Sequence, residues 1–303
     1  MNIDDIIARM GWERTARPTV ALLGGGITNL NYRVDVGGEA YVVRVPGQDS
    51  ASLGIDRECE HACAVAAHAS GVAPEVVAYL EEEGVLITRF IHGRGLGEAE
   101  MRQAGTVGRV AQALRRYHGG GPFPGTFSPF GKVRKYLAAA EPHGAPLPER
   151  FAWMMEQAAK LEASLGAPST LRPCHNDLLP GNFLDDGERL WIVDWEYAAT
   201  GDIFFDLGNF AVHHQLSDSL EHALLEVYFG HVTAGTMARL KLMKIISDLR
   251  EAMWAMVQVA ISDLDYDFRT YGRMHFDRYA AALGDPRLPA WLAQVADPFS
   301  RGV

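Results

Sequence analysis

The sequence predicts an α+β chain of two unequal parts: a small lobe with a five-stranded antiparallel sheet over residues 1–90, and a larger, mainly helical lobe over residues 91–303. Three observations predict it. Short apolar runs closed by glycine or proline crowd the first part, helical spacing dominates after His92, and one strand-and-loop stretch, 171–197, interrupts the helices. A chain of 303 residues is long enough to build a core in each lobe.

Ile3, Ile6, Ile7 and Met10 recur at helical spacing and predict a short amphipathic helix at the start. Residues 19–23 read as a strand running into Gly24-Gly25-Gly26, and residues 31–36 as a second strand. Gly37-Gly38 is a hairpin signal, and 41–45 form a third strand closed by Pro46-Gly47. A helix over about 52–70 stops at Gly71, with Pro74 beyond it. Strands at 76–80 and 85–90 complete the sheet, and helices follow at about 98–118, 148–165, 204–214, 217–229, 234–263 and 269–284. Loop-rich stretches at 119–131 and 141–148 separate the first of them.

Composition is that of a globular protein, 48% hydrophobic and 22% charged. The formal net charge of -10 argues against nucleic acid or an anionic membrane surface and favours a small cationic partner. No apolar run approaches the ~20 residues of a membrane span, so no membrane insertion is expected. Three cysteines without a Cys-x-x-Cys pair fit a reducing, cytoplasmic location. Cys59, His61, Cys63 and His68 lie close in sequence, but Cys59 and Cys63 share a helix face with small apolar neighbours and read as packing.

The chemistry concentrates in His175-Asn176-Asp177-Leu178-Leu179-Pro180-Gly181-Asn182, followed by Trp191-Ile192-Val193-Asp194. A carboxylate enters a loop, an amide follows five residues later, and a second carboxylate ends the next apolar strand. Phosphoryl transfer of the kinase type uses these parts: one Asp takes the proton of the attacking hydroxyl, while an Asn and another Asp hold the metal bridging the phosphates. Gly24, Gly25 and Gly26 lie between two strands, where backbone N–H groups approach phosphate unobstructed by a Cβ. Arg44 occupies the strand position where kinases keep a phosphate-gripping Lys, and either Glu58 or Glu60 on the next helix could pair with it.

At these residues the chain resembles the choline/ethanolamine kinases, within the aminoglycoside phosphotransferase-like group. The resemblance rests on Gly25-Gly26-Ile27-Thr28-Asn29, Tyr41-Val42-Val43-Arg44-Val45-Pro46-Gly47, Ile55-Asp56-Arg57 with Glu60, and Gly71-Val72-Ala73-Pro74. It continues through His175-Asn176-Asp177-Leu178, Asp194-Trp195-Glu196-Tyr197, Phe205-Asp206-Leu207-Gly208-Asn209 and Met253-Trp254-Ala255-Met256-Val257-Gln258. It implies a bilobal protein-kinase-like fold, ATP with Mg²⁺ (Mg2+), and an amino-alcohol substrate; a homodimer is compatible with it. Asp177 is then the implied base, Asn182 and Asp194 the metal ligands, Glu60 the partner of Arg44, and Asp206 a brace for the catalytic loop. Gly24–Gly26, Thr28 and Asn29 would meet the phosphates, and Thr88, Arg89, Phe90 and Ile91 would form the hinge whose backbone meets adenine.

A quaternary ammonium is held by aromatic faces and a nearby carboxylate. The candidates are Tyr197, Trp254, Tyr266 and Tyr271, with Glu251 one helical turn before Trp254. Eukaryotic choline kinases carry a second tryptophan where Glu251 stands, and an acidic residue where this chain has His213. Asp263, Asp265 and Asp267 alternate like a calcium loop, but Phe268 replaces its turn glycine, so they read as solvated carboxylates or secondary substrate contacts. The rival readings are a kinase of aminoglycoside or other sugar hydroxyls, and a non-catalytic nucleotide-binding regulator.

Overall fold

The computed structural model describes residues 2–24, 29–47, 53–168, 170–262 and 264–295. It opens with α1 (Ile3–Arg9), capped by a reciprocal Asn2–Asp5 box, then β1 (Thr19–Leu23), β2 (Asn29–Val36) and β3 (Glu39–Pro46). Next come α2 (Arg57–Ala69), β4 (Val76–Leu80) and β5 (Val85–Arg89). The five strands form one antiparallel sheet in the order β1-β2-β3-β5-β4. Ile6 and Ile7 of α1 pack with Trp12 against Val34, Val43 and Ile87 on one face of the sheet. The sequence places α2 from about residue 52, but Asp56 sets its start later by accepting the N–H groups of Glu58 and Cys59.

Cys63, Ala64 and Ala67 of α2 join the main core, so this helix links the sheet to the helical body. After β6 (Arg94–Gly95) the body continues with α3 (Glu98–Met101), α4 (Ala104–His118), α5 (Pro129–Ala140) and α6 (Phe151–Leu165). The single helix expected over 98–118 is divided at Arg102 and Gln103. Helix α5 was not expected: its start lies inside a stretch read as loop. Ser128 caps it and Pro129 occupies its first turn, a start signal masked by neighbouring glycines.

The short strands β7 (Arg172–Cys174), β8 (Phe183–Asp185), β9 (Leu190–Ile192) and β10 (Ala199–Gly201) carry the loops of the motif. They pair as β10–β7 and β6–β8–β9. The chain then runs through α7 (Ile203–His213), α8 (Asp218–Phe229), α9 (Ala234–Ile261), α10 (Phe268–Leu283) and α11 (Leu288–Gln294), the last also unanticipated. No helix among the described residues is long and apolar enough to cross a membrane.

Helix α9 has 28 residues and is buried along most of its length, which is why its apolar pattern is not confined to one stripe. Its buried charges are paired: Arg239 with Asp202 at 2.5 Å, Lys241 with Asp218 at 2.6 Å, and Asp248 with His275 at 2.8 Å. Helix α7 lies against it at Gly208, where a Cβ would come within 2.6 Å of Lys244 N and 2.7 Å of Met243 C. Gly208→Ala is therefore expected to destabilise the fold by roughly 1–3 kcal/mol, as measured by urea unfolding. An unchanged midpoint would mean that the helix pair accommodates a methyl group.

Candidate active site

The loop after β7 is fixed from below by one carboxylate. Asp206 is fully buried; its Oδ1 accepts the N–H of Asn176 at 2.7 Å. Its Oδ2 accepts the N–H of His175 at 2.8 Å, the Tyr117 hydroxyl at 2.6 Å and His118 Nε2 at 3.0 Å. Burial alone would raise the Asp206 pKa, but the hydrogen bonds and charge of His118 with the Tyr117 hydroxyl bring it below the usual range. Asn209 adds a second support, taking the N–H of Leu178 at 2.6 Å while its own amide reaches Ser247 at 3.0 Å.

His175 is a spacer rather than an acid or base. Its Nδ1 accepts the N–H of Asp177 at 3.2 Å, so Nε2 carries the proton given to Val193 O at 3.0 Å. Burial pushes its pKa down to about 4, which keeps the ring neutral. Asn176 and Asp194 have φ of 66° and 68°, in the left-handed region where a side chain costs about 1–2 kcal/mol. Such strain persists where the surroundings over-determine it, here through Asp206 and Arg44.

These constraints bring Asp177, Asn182 and the segment leading to Asp194 together, with Asn182 bonded to Asp177 O and Val193 N–H bonded to Asn182 O. The Asn182 amide nitrogen donates to Asp177 O at 2.8 Å, leaving the amide oxygen as the atom available to a cation. Asp194 is about a third exposed and meets the guanidinium of Arg44. Arg44 also meets Glu60, which settles the choice between the two glutamates: Glu58 is exposed on the other side of the turn. Glu60 in turn accepts from Arg57 at 2.7 Å, and Arg57 meets Glu196 at 3.1 Å.

Other residues singled out from the sequence lie as follows. Gly25, Gly26 and Thr28 lie outside the described residues, and Gly24 follows β1 directly. Asn29, expected at the phosphates, is committed through its side chain to Glu196 and Arg57, both at 2.8 Å. Within 88–91, the N–H groups of Arg89 and Phe90 are taken by Glu75 O and Ala40 O at 2.8 and 2.9 Å. The Arg89 side chain is held at the surface by Glu39 and Glu75. Asp263 lies outside the described residues, and Asp267 caps α10. His61 stacks on Tyr79 and His68 bonds Ala73 O, so neither converges on the adjacent thiols of Cys59 and Cys63.

Linked to Asp177 through Arg250 stands an aromatic group from α9, α10 and the segment before α10, with Tyr197. Trp254 donates its indole N–H to the Tyr197 hydroxyl at 2.9 Å and meets Phe268 and Tyr271 edge to face. Tyr266 is tilted against Phe268 and is 45% exposed, so this group reaches the surface. Glu251 accepts from Tyr271 at 3.3 Å through one oxygen; the other meets Arg250 and lies 3.7 Å from His213. Burial opposes its charge, but Arg250 and His213 hold its pKa below the carboxylate range.

Two residues escaped the sequence reading. Arg250, buried beneath Asp177, gives NH1 to Asp177 Oδ1 at 3.1 Å and NH2 to Asn176 O at 3.2 Å. Its one local signal is an Arg-Glu pair inside an otherwise apolar helical run. Lys132 lines a cavity of about 550 Å³ beside Glu196 and Tyr197. Burial and the charge of Arg250 lower its pKa to about 8.

The Asp206 brace has a pH signature. Because its folded pKa is depressed, its stabilisation is fully present above the ordinary value of 3.8 and is lost as pH falls through the lower folded value. Asp206→Asn sets an amide NH₂ against donors and is expected to cost about 3 kcal/mol at pH 7. It should also flatten the acid limb below pH 4, as followed by circular dichroism. Equal stability of both proteins at pH 7 would contradict the brace.

Comparison with known proteins agrees with this geometry. Residues 19–242 match the phosphotransferase enzyme family, APH. The chain is 29% identical over 249 residues to protein LicA of Haemophilus influenzae, covering 77% of this chain and 72% of that one. It is 27% identical over 300 residues to a probable ethanolamine kinase A of Dictyostelium discoideum, covering 86% and 84%. A solved structure of a choline/ethanolamine kinase family protein from Mesorhizobium loti superposes with a TM-score of 0.83 at 31% identity, covering 97% of this chain and 99% of that one. With most of its length matched by the family and nearly all of it by this structure, the chain belongs to the phosphotransferase enzyme family, among the choline/ethanolamine kinases.

Proposed function

We propose that the protein transfers the γ-phosphate of ATP to the hydroxyl of choline or a related amino alcohol. The observation that carries this is the grouping of Asp177, Asn182 and Asp194, with an aromatic group linked to Asp177 through Arg250 and Tyr197. The kinase names of the relatives support the same acceptor class. The small lobe, to about residue 90, carries the nucleotide; the larger lobe carries the acceptor. A cytoplasmic location belongs to the same reading and is supported by three free cysteines.

Asp177 takes the proton of the acceptor hydroxyl as its oxygen forms the new bond to phosphorus and the bond to ADP breaks. Burial raises the Asp177 pKa, against the pull of Arg250, which makes its carboxylate a stronger base than an exposed aspartate. Arg44, positioned by Glu60, grips the phosphates through its planar fork. The amide oxygen of Asn182 and the carboxylate of Asp194 are hard donors suited to Mg²⁺. When bound, that ion neutralises charge developing on the phosphates. Trp254, Tyr266 and Tyr271 receive the acceptor's cation, with Tyr197 supporting Trp254 from behind. An aminoglycoside site would need several free carboxylates there; the aromatic faces favour a small ammonium.

The deciding experiment is ATP consumption over choline, ethanolamine, sugars and aminoglycosides, with product masses. Turnover confined to sugars or aminoglycosides would remove the proposed acceptor. Asp177→Asn and Asp194→Asn should both abolish turnover, but only Asp194→Asn should weaken Mg-ATP binding in calorimetry. The reverse pattern would exchange their roles. Trp254→Ala should raise the acceptor KM about thirtyfold, the worth of a desolvated cation–π contact of ~2 kcal/mol, without changing the ATP KM. An unchanged acceptor KM with a lowered melting temperature would make Trp254 a packing residue alone.

A further inference from the structure

Arg250 is 1% exposed, yet its guanidinium meets four groups of the site. NH1 reaches Asp177 Oδ1 at 3.1 Å and also meets Glu251, while NH2 binds Asn176 O at 3.2 Å, on the loop that carries Asp177. The guanidinium carbon lies 4.9 Å from the centre of the Tyr197 ring, whose hydroxyl receives the Trp254 indole N–H at 2.9 Å. One planar cation therefore touches the carboxylate, its loop backbone, a second carboxylate and the ring supporting the aromatic group.

Resting on the proposed kinase reaction, we propose that Arg250 is the residue that positions Asp177, and that Glu251 is the counter-ion of Arg250 rather than of the acceptor's ammonium. Three features carry this. First, the fork binds Asp177 and the Asn176 carbonyl together, which fixes the carboxylate against its own backbone and leaves Oδ2 for the acceptor hydroxyl. Lysine has one nitrogen and cannot hold both at fixed geometry. Second, Glu251 is 2% exposed and is held by Arg250, Tyr271 and the nearby His213, so both its oxygens are already engaged within the protein. Third, Asp177 and Glu251 are two buried carboxylates sharing one guanidinium, and removing it would leave both without their main cation.

This changes what selects the acceptor. With both Glu251 oxygens engaged internally, the ammonium is received chiefly by the faces of Trp254, Tyr266 and Tyr271. Ring faces attract a trimethylated head without needing N–H donors, so the site suits a methylated ammonium better than its lone carboxylate count suggests.

The test is the steady-state kinetics of Arg250→Lys, Arg250→Met and Glu251→Gln, with Mg-ATP binding measured on each. Arg250→Met should lower kcat about 100-fold, the scale of a slightly misplaced catalytic group, with both KM values within about threefold. Arg250→Lys should recover part of kcat while binding Mg-ATP normally. Should the Met variant fail to fold, the Lys variant alone decides, because a partial loss of kcat with intact binding is not produced by packing defects. Glu251→Gln should lower kcat and leave the acceptor KM within about threefold. A wild-type kcat in either Arg250 variant overturns the positioning role. An acceptor KM raised more than about tenfold in Glu251→Gln, with kcat unchanged, returns Glu251 to the acceptor. If the wild type phosphorylates another class of acceptor, the proposed substrate falls, but the same split measured with that acceptor still decides the role of Arg250.

Discussion

The site depends on a row of alternating charges where the sheet meets the helical body. Asp194 meets Arg44, Arg44 meets Glu60, Glu60 meets Arg57, and Arg57 meets Glu196, which also takes the Asn29 amide. The members come from β3, α2, β2 and the segment after β9, so no element can leave its place without exposing a partner's charge. Buried ion pairs contribute little net stability because desolvation offsets attraction, but breaking one leaves a charge uncompensated. Their effect is therefore on geometry: they define one arrangement of sheet against body, the one that sets Arg44 over Asp194.

A second layer of constraint acts from beneath. Asp206 and Asn209, on α7, hold three residues of the loop through the N–H groups of His175, Asn176 and Leu178. Arg250, on α9, holds the side chain between them. The loop has little regular structure of its own, and its shape is written by groups that follow it by thirty to seventy residues. This is how a strained backbone at Asn176 and Asp194 is maintained: each is tied at more points than its own conformational preference could overcome.

Much of this was legible in the sequence, for identifiable reasons. The strands are short, alternating and closed by Gly37-Gly38 or Pro46-Gly47, signals that depend only on near neighbours. Asp177, Asn182 and Asp194 stand out because their spacing is set by chemistry. Helix α5 was hidden because Gly131 and Pro129 look like loop residues until Ser128 is seen to cap them. Partnership was the least legible property. Asn29 looked like a phosphate contact and is tied to Glu196, 167 residues away, and Arg250 looked like an ordinary helix residue and lies under Asp177, 73 residues away. Glu251 was singled out as a carboxylate for the acceptor's ammonium, one turn before Trp254, but its neighbour Arg250, which meets it, was passed over.

The contact at Gly208 bears on how the cleft can open. At Gly208 the two helices touch backbone to backbone, so that point has no cushion across which to slide, and the surfaces interlock there at the scale of single atoms. Shear between α7 and α9 is thereby blocked, and these helices carry Asp206, Asn209 and Arg250. The floor of the cleft behaves as one rigid casting. Any motion of the sheet against the helical body would have to break that row of charges rather than slide these helices.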